Sequence, residues 1–327
     1  MVDVWNEHLW LPENVTWHDL ESSDSVRYPQ AYEFWYTVLA GGVMLVLRIL
    51  VESFVYLPIG WIGGWISGPL CPQIIAHLQG GFAGKSKFKR VAECAWRFSY
   101  YLFAWFLGLY ILRNQPQFHS VIESWKGWPR HHISDDVWWY YIIETAFYWG
   151  LLFSQLFFDV RRADFLQMTF HHTITIFLLF ISWNMNMVRV GTLVLFSHDA
   201  ADVLLELGKL LRYARWKKAL EVDFVFFILL WIGTRLIFYP FWIVHSVWFD
   251  APKHIQESYE WINLTQRPIV PRVLVVMLTL LIVLHLVWTA VILKIAYNSV
   301  CTTEGVDDIR EDSDSGSEDE DEKTKKE

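Results

Sequence analysis

The sequence predicts an all-α, polytopic membrane protein with about seven transmembrane helices. Three observations predict the membrane class. Of 327 residues, 54% are hydrophobic and only 19% are charged, where a soluble domain carries about 25% charged. Seven runs of roughly 20 predominantly apolar residues are present, the length that about 30 Å of hydrocarbon requires. The net charge of −8 belongs to the last 24 residues, with twelve Asp/Glu against four Lys/Arg, so the remaining 303 carry 23 of each sign. A neutral body disfavours a nucleic-acid partner. Cys71, Cys94 and Cys301 make no CxxC and are too few for a disulfide scaffold.

Taken in chain order, residues 1–33 form a polar, Trp-rich segment on the luminal side, with neither the basic start nor the apolar core of a secretory signal. The first span covers 34–56, and a Gly-rich cytosolic linker covers 57–90. A membrane domain over 91–300 holds the remaining spans at 94–112, 137–158, 170–187, 190–207, 224–247 and 273–296. The fifth of the seven is the least apolar, because it contains His198, Asp199 and Asp202. Residues 301–327 form an acidic tail too poor in apolar groups to fold alone.

Lys and Arg in short loops favour the cytosol. With the N-terminus luminal, Lys85, Lys87, Lys89, Arg90, Arg161, Arg162, Lys209, Arg212, Arg215, Lys217 and Lys218 are cytosolic. The sequons at Asn14 and Asn263 both fall on the luminal side; Asn263, close to the last span, is the poorer glycosylation site. The tail is then cytosolic. Its Ser315 and Ser317 each have Glu three residues on, as an acid-directed kinase requires, and its terminal KTKKE places Lys as in a dilysine address for the endoplasmic reticulum membrane.

Ionisable residues inside spans are costly and mark candidate sites. One segment runs FFDVRRADFLQMTFHH into the fourth span, ending at His171 and His172; another reads HDAADVLLELGK from His198. On a helix His198, Asp202 and Glu206 share a face, with Asp199 beside it, and Glu206 reaches Lys209. Packed antiparallel, the two spans bring the imidazoles and carboxylates together. A histidine near neutrality serves as base or nucleophile, and a carboxylate can orient it. A metal centre is disfavoured, since membrane di-iron enzymes need about eight His in repeated boxes, whereas several of the 12 here are scattered. Arg48 and Glu52 read as a helix-stabilising pair, Glu144 has no partner in its own span, and His245 and His285 read as packing residues.

At these segments the sequence resembles the ceramide synthases, sphingoid-base N-acyltransferases of the TRAM/LAG1/CLN8 domain superfamily. The motif residues are Asp159, Arg161, Arg162, Asp164, Phe165, Met168, His171 and His172, continuing through Ser182, Asn186, Arg189, Gly191, His198, Asp199, Asp202, Leu205, Glu206 and Lys209. KFKRVAECAWRF and TRLIFYPFWIVH extend the likeness. The homeobox-like insert of many animal members is missing between the first two spans.

The resemblance implies acyl transfer from acyl-CoA to the amine of a sphingoid base, giving (dihydro)ceramide, with no cofactor and no metal, acyl-CoA being a co-substrate. It implies that six of the seven helices form a bundle around a polar site and a lipid cavity, with His171, His172, His198, Asp199 and Asp202 as catalytic residues. Arg161, Arg162, Lys209 and Arg212 would face the anionic CoA, and Asp164, Glu206, Asn186 and Arg189 would be orienting residues. The bilayer is the working environment, and the sequence leaves open a homo- or heterodimer. The alternative is a non-catalytic lipid sensor or trafficking protein of the same superfamily. A transporter using the carboxylates as a relay is a third reading.

Overall fold

The computed structural model describes residues 5–24, 26–66, 68–80, 87–159, 161 and 164–301. Arg162, Ser315, Ser317 and the terminal lysines lie outside the described residues. Every regular element among the described residues is helical, and all seven segments expected to be spans are helices.

The first, α1 (Phe34–Val51), continues through a π-helical turn (Glu52–Tyr56) into Leu57–Ile62. Leu70–Gly80 forms α2, a helix inside what the sequence suggests is a plain linker. Then follow α3 (Lys87–Leu112), α4 (Asp135–Phe157), α5 (Phe165–Asn184) and α6 (Val188–Tyr213). Helix α7 (Lys217–Trp231) passes into a π-helical segment, Ile232–Val244, that accommodates Pro240 and ends in the helix His245–Phe249. Helix α8 (Val270–Cys301) is the last element among the described residues. Four continuous helical stretches, Ala31–Ile62, Phe165–Asn184, Lys217–Phe249 and Val270–Ser299, are long and apolar enough by themselves to cross a bilayer.

Helix α1 shows how sequence pattern becomes packing. Phe34, Thr37, Gly41 and Arg48, spaced by three, four and seven residues, share one face and are buried, while Trp35, Leu39, Val43 and Val46 are exposed, as a lipid-facing surface requires. The buried stripe meets α4. A Cβ on Gly41 would stand 2.7 Å from Trp149 Cβ, so only glycine allows this approach, and the Trp149 indole donates to Thr37 Oγ1 at 3.2 Å.

At the end of the bundle that holds the N-terminal segment, loops form a cap fastened by aromatic and cationic donors. Trp125 donates to Ser246 Oγ, Trp128 to the Met185 carbonyl and Trp183 to the Gln30 carbonyl. Arg267 donates to the carbonyls of Leu11 and Pro12, and Arg272 to five carbonyls of the 260–268 loop. Asn186, at φ 52°, turns α5 into α6 and donates to the carbonyls of Pro129 and His131, both at 2.7 Å. Arg189 reaches the carbonyls of Glu123 and His132. These two motif residues therefore orient the cap. Burial, with the Arg189 guanidinium nearby, pushes the His131 imidazole down to about 3, because a charged ring would find no compensation there.

Asn14 is exposed at a positive-φ turn of this cap. Asn263 Oδ1 accepts from the Thr265 amide and hydroxyl.

Candidate active site

Helix α6 occupies the middle of the bundle, packing on α3 and α7, and the π-helical segment packs on it and on α8. Between them lies a cavity of about 250 Å³. Helix α5 contributes His171 and His172 to its wall, and α6 contributes His198, Asp202, Glu206, Lys209 and Arg212. The α5 and α6 motifs thus share one chamber. A smaller apolar pocket, lined by Thr175, Leu178, Gly191, Leu195 and Leu278, adjoins it, and Tyr148, His171 and His198 line both.

The imidazoles differ in their surroundings. His198 Nδ1 lies 2.7 Å from the Val194 carbonyl, and a carbonyl only accepts, so Nδ1 carries the proton. Its Nε2 is 3.2 Å from His285 Nε2, which leaves His285 as the donor in that contact. His171 and His172 have no hydrogen-bond partner among the described residues, and the Nδ1 of each is buried. The His171 ring stands nearly perpendicular to Trp288 at 5.1 Å between ring centroids, and His172 packs near Tyr148.

The carboxylates have other partners than the histidine pair. Both Asp202 oxygens receive Arg235 NH2 at 3.2 Å, and the same nitrogen donates to the His198 carbonyl at 2.8 Å. Asp199 is completely buried and stands close to the buried Glu144 of α4, and none of the four carboxyl oxygens has a hydrogen-bond partner among the described residues. Asp199 is rotated about 100° from His198 on the helix, enough to take it off the cavity wall.

At the Tyr213 end of α6 the mouth of the cavity is charged. Arg97 Nε meets Glu206 at 3.2 Å and its NH1 meets Asp159 at 3.9 Å; Lys209 meets Glu206 at 2.7 Å. Asp159 also receives Arg48 at 2.9 Å, and Arg48 binds Glu52, which in turn meets His77 of α2. Arg48 and Glu52 are therefore part of a buried network running from α2 to the mouth. Arg212 and Asp164 line the cavity, whereas Arg161 is exposed and lies over the Phe165 ring. No group of three His, Cys, Asp or Glu side chains among the described residues is arranged to hold a metal ion.

Sequence reasoning missed Arg235, His285, Arg97 and the role of Glu144. A lone Arg or Glu inside an apolar span is the available signal, and for Arg235 a π-helical segment, which recurs at functional sites, is the structural sign. His285 sits in an apolar run with nothing in its own helix to mark it.

Chemically, the chamber offers two histidines free to engage a ligand, a third held in a fixed tautomer, cations at the mouth, and an apolar extension past His171. That combination suits group transfer between an anionic carrier and a lipid.

Comparison with known proteins matches the TLC domain model, TRAM_LAG1_CLN8, to residues 90–294. The chain is 42% identical over 315 residues to ceramide synthase hyl-2 of Caenorhabditis elegans, covering 95% of this chain and 93% of that one. Identity to ceramide synthase hyl-1 of the same organism is 42% over 316 residues, covering 94% and 83%. Ceramide synthase 5 of Homo sapiens is 34% identical over 357 residues, covering 97% and 88%.

Proposed function

Because this chain belongs to the ceramide synthases of the TLC-domain family, we propose that it transfers a fatty acyl group from acyl-CoA to the amine of a sphingoid base, through an acyl-imidazole on His171. The observation that carries the assignment is the position of His171, which lines both the charged chamber and the apolar pocket. A thioester carbonyl placed at that junction has its CoA portion towards Arg97, Lys209 and Arg212, where guanidinium groups suit phosphate, and its hydrocarbon chain in the apolar pocket. We place the mouth in the cytosol and the capped end in the lumen of the endoplasmic reticulum, as the distribution of Lys and Arg requires.

In the first step His171 Nε2 attacks the carbonyl and the C–S bond breaks, releasing CoA thiolate, a good leaving group with a thiol pKa near 8.5. In the second, the amine attacks the acyl-imidazole, the C–N bond to His171 breaks, and the amide forms. The substrate starts as an ammonium with a pKa of about 10 and must be deprotonated. It gives up two protons overall, of which CoA takes one as thiol and solvent receives the other. His172, free of hydrogen bonds in the same chamber, is the base. His198 is held by Val194 and His285, and Asp202 by Arg235, so both orient the site.

The test uses membranes containing the protein, labelled sphinganine and acyl-CoAs of several lengths. Labelled ceramide from the parent and none from His171→Ala supports the assignment. A His171→Ala protein with parental turnover contradicts it.

A further inference from the structure

The wall of the chamber formed by α7 and α8 is apolar at Leu220, Phe224, Phe227, Trp288, Ile292 and Ile295, and Asp223 interrupts it. Asp223 is 7% exposed, its Oδ1 is buried without a hydrogen-bond partner, and no cation among the described residues forms an ion pair with it. Neighbouring cations serve other carboxylates: Lys209 and Arg97 meet Glu206, and Arg235 meets Asp202. A Cβ on Gly208 would come within 2.7 Å of Asp223 Oδ2, so α6 omits a side chain where this carboxylate stands. A buried, uncompensated carboxylate is expensive. Retained on the wall of a lipid-sized chamber, it calls for a ligand that brings the missing positive charge.

Its depth narrows the ligand. Asp223 lies six residues, about 9 Å, into α7 from Lys217, and Gly208 beside it lies about 9 Å from Asp202 towards the mouth. The carboxylate is thus between the membrane surface and the histidines. Helix α7 packs chiefly on α6, and α8 on the π-helical segment and α5; Trp231 donating to Thr289 Oγ1 at 2.9 Å ties α7 to α8 further in. The seam between them is apolar, and Asp223 is its polar point.

We infer that Asp223 docks the ammonium head of a long-chain primary amine, with the hydrocarbon chain along the α7–α8 seam, before the amine moves inward to His171. This rests on the N-acyltransferase reading for the amine's identity, and it supplies a site for the second substrate. The two substrates carry opposite charge. At the mouth, Glu206 is already paired with Arg97 and Lys209, whereas the carboxylate on α7 has no ion-pair partner among the described residues, so an ammonium is drawn to the α7 wall.

The test uses the purified full-length protein, with the parent and Asp223→Asn compared in two assays. Direct binding is measured for sphinganine and for its neutral N-acetyl derivative. Steady-state kinetics give KM separately for sphinganine and acyl-CoA. Loss of one ion pair is expected to weaken sphinganine binding and raise its KM by about tenfold or more, leaving binding of the neutral derivative and the KM for acyl-CoA unchanged. Sphinganine binding within about twofold of the parent overturns the inference, as does an equal loss for amine and neutral derivative, or a rise in the acyl-CoA KM alone, which would assign Asp223 to the pantetheine amides. Should Asp223→Asn not fold, as judged by gel filtration, Gly208→Ala, which displaces the carboxylate, takes its place with the same readouts. Parental protein that binds sphinganine through Asp223 yet forms no amide would refute the acyltransferase reading and leave the docking site standing.

Discussion

Removing the guanidinium of Arg235 tests the inner architecture of the site. Arg235 is 3% exposed and holds Asp202 at 3.2 Å. At that separation and an effective dielectric of about 20, the attraction is about 5 kcal/mol and offsets the cost of burying both charges. Arg235→Met keeps the length and apolar stem but strands the carboxylate. Breaking a buried pair from one side costs about 3–5 kcal/mol. Because the Asp202 side chain is 20% exposed to the cavity, the lower end applies, about 3 kcal/mol, or a melting point lower by about 4 °C. The assay is thermal unfolding of purified protein for the parent, Arg235→Met, Asp202→Leu and the double variant. Removing both charges recovers most of the loss, since the double variant strands neither charge. An Arg235→Met protein as stable as its parent, or a double variant showing the sum of the two single losses, would refute the reasoning.

Gly191→Val should shorten the preferred acyl chain. A Cβ there stands 2.9 Å from the Tyr141 ring and 3.0 Å from Ser182 Oγ, both on the apolar pocket, and the ratio of kcat/KM for long over short acyl-CoA should fall by on the order of tenfold. His285→Phe keeps the ring packing against Tyr239 and Trp231 but removes the contact to His198; kcat should drop about tenfold, the worth of one buried hydrogen bond, with both KM values unchanged. The cap should weaken in acid. His131 is held down at about 3 against an ordinary 6.5, so between those values the unfolded chain binds a proton that the folded one refuses. Stability is full above pH 6.5 and falls below it, by about 2 kcal/mol at pH 5. A melting curve whose acid sensitivity is the same in His131→Gln and the parent would contradict this.

How much of the site was legible follows from helix geometry. His198, Asp202, Glu206 and Lys209 repeat at three and four residues, and the structure puts all four on the chamber wall. Asp199 breaks that regularity: it is off the chamber wall and close to the buried Glu144, on a helix over fifty residues away. Such pairings have no periodicity in sequence. The same holds for His285 beneath His198 and for Arg235, which approaches Asp202 from a π-helical segment whose register a 3.6-residue pattern does not anticipate. The helices at the seven apolar runs were legible from length and polarity alone, and four helical stretches are long and apolar enough by themselves to cross a bilayer. The Arg48–Glu52 pair was legible too, but the helix Leu70–Gly80 and its His77, which meets Glu52 from a distant part of the chain, were not.

The most direct measurement is a peptide mass. The protein is incubated with acyl-CoA and no amine, denatured and digested, and its peptides are weighed. The expected result is one added acyl group on His171 that disappears when sphinganine is supplied before denaturation and is absent from His171→Ala. Active protein with no acyl group on any histidine, or with the acyl group on a residue other than His171, would contradict the covalent route proposed for this chamber.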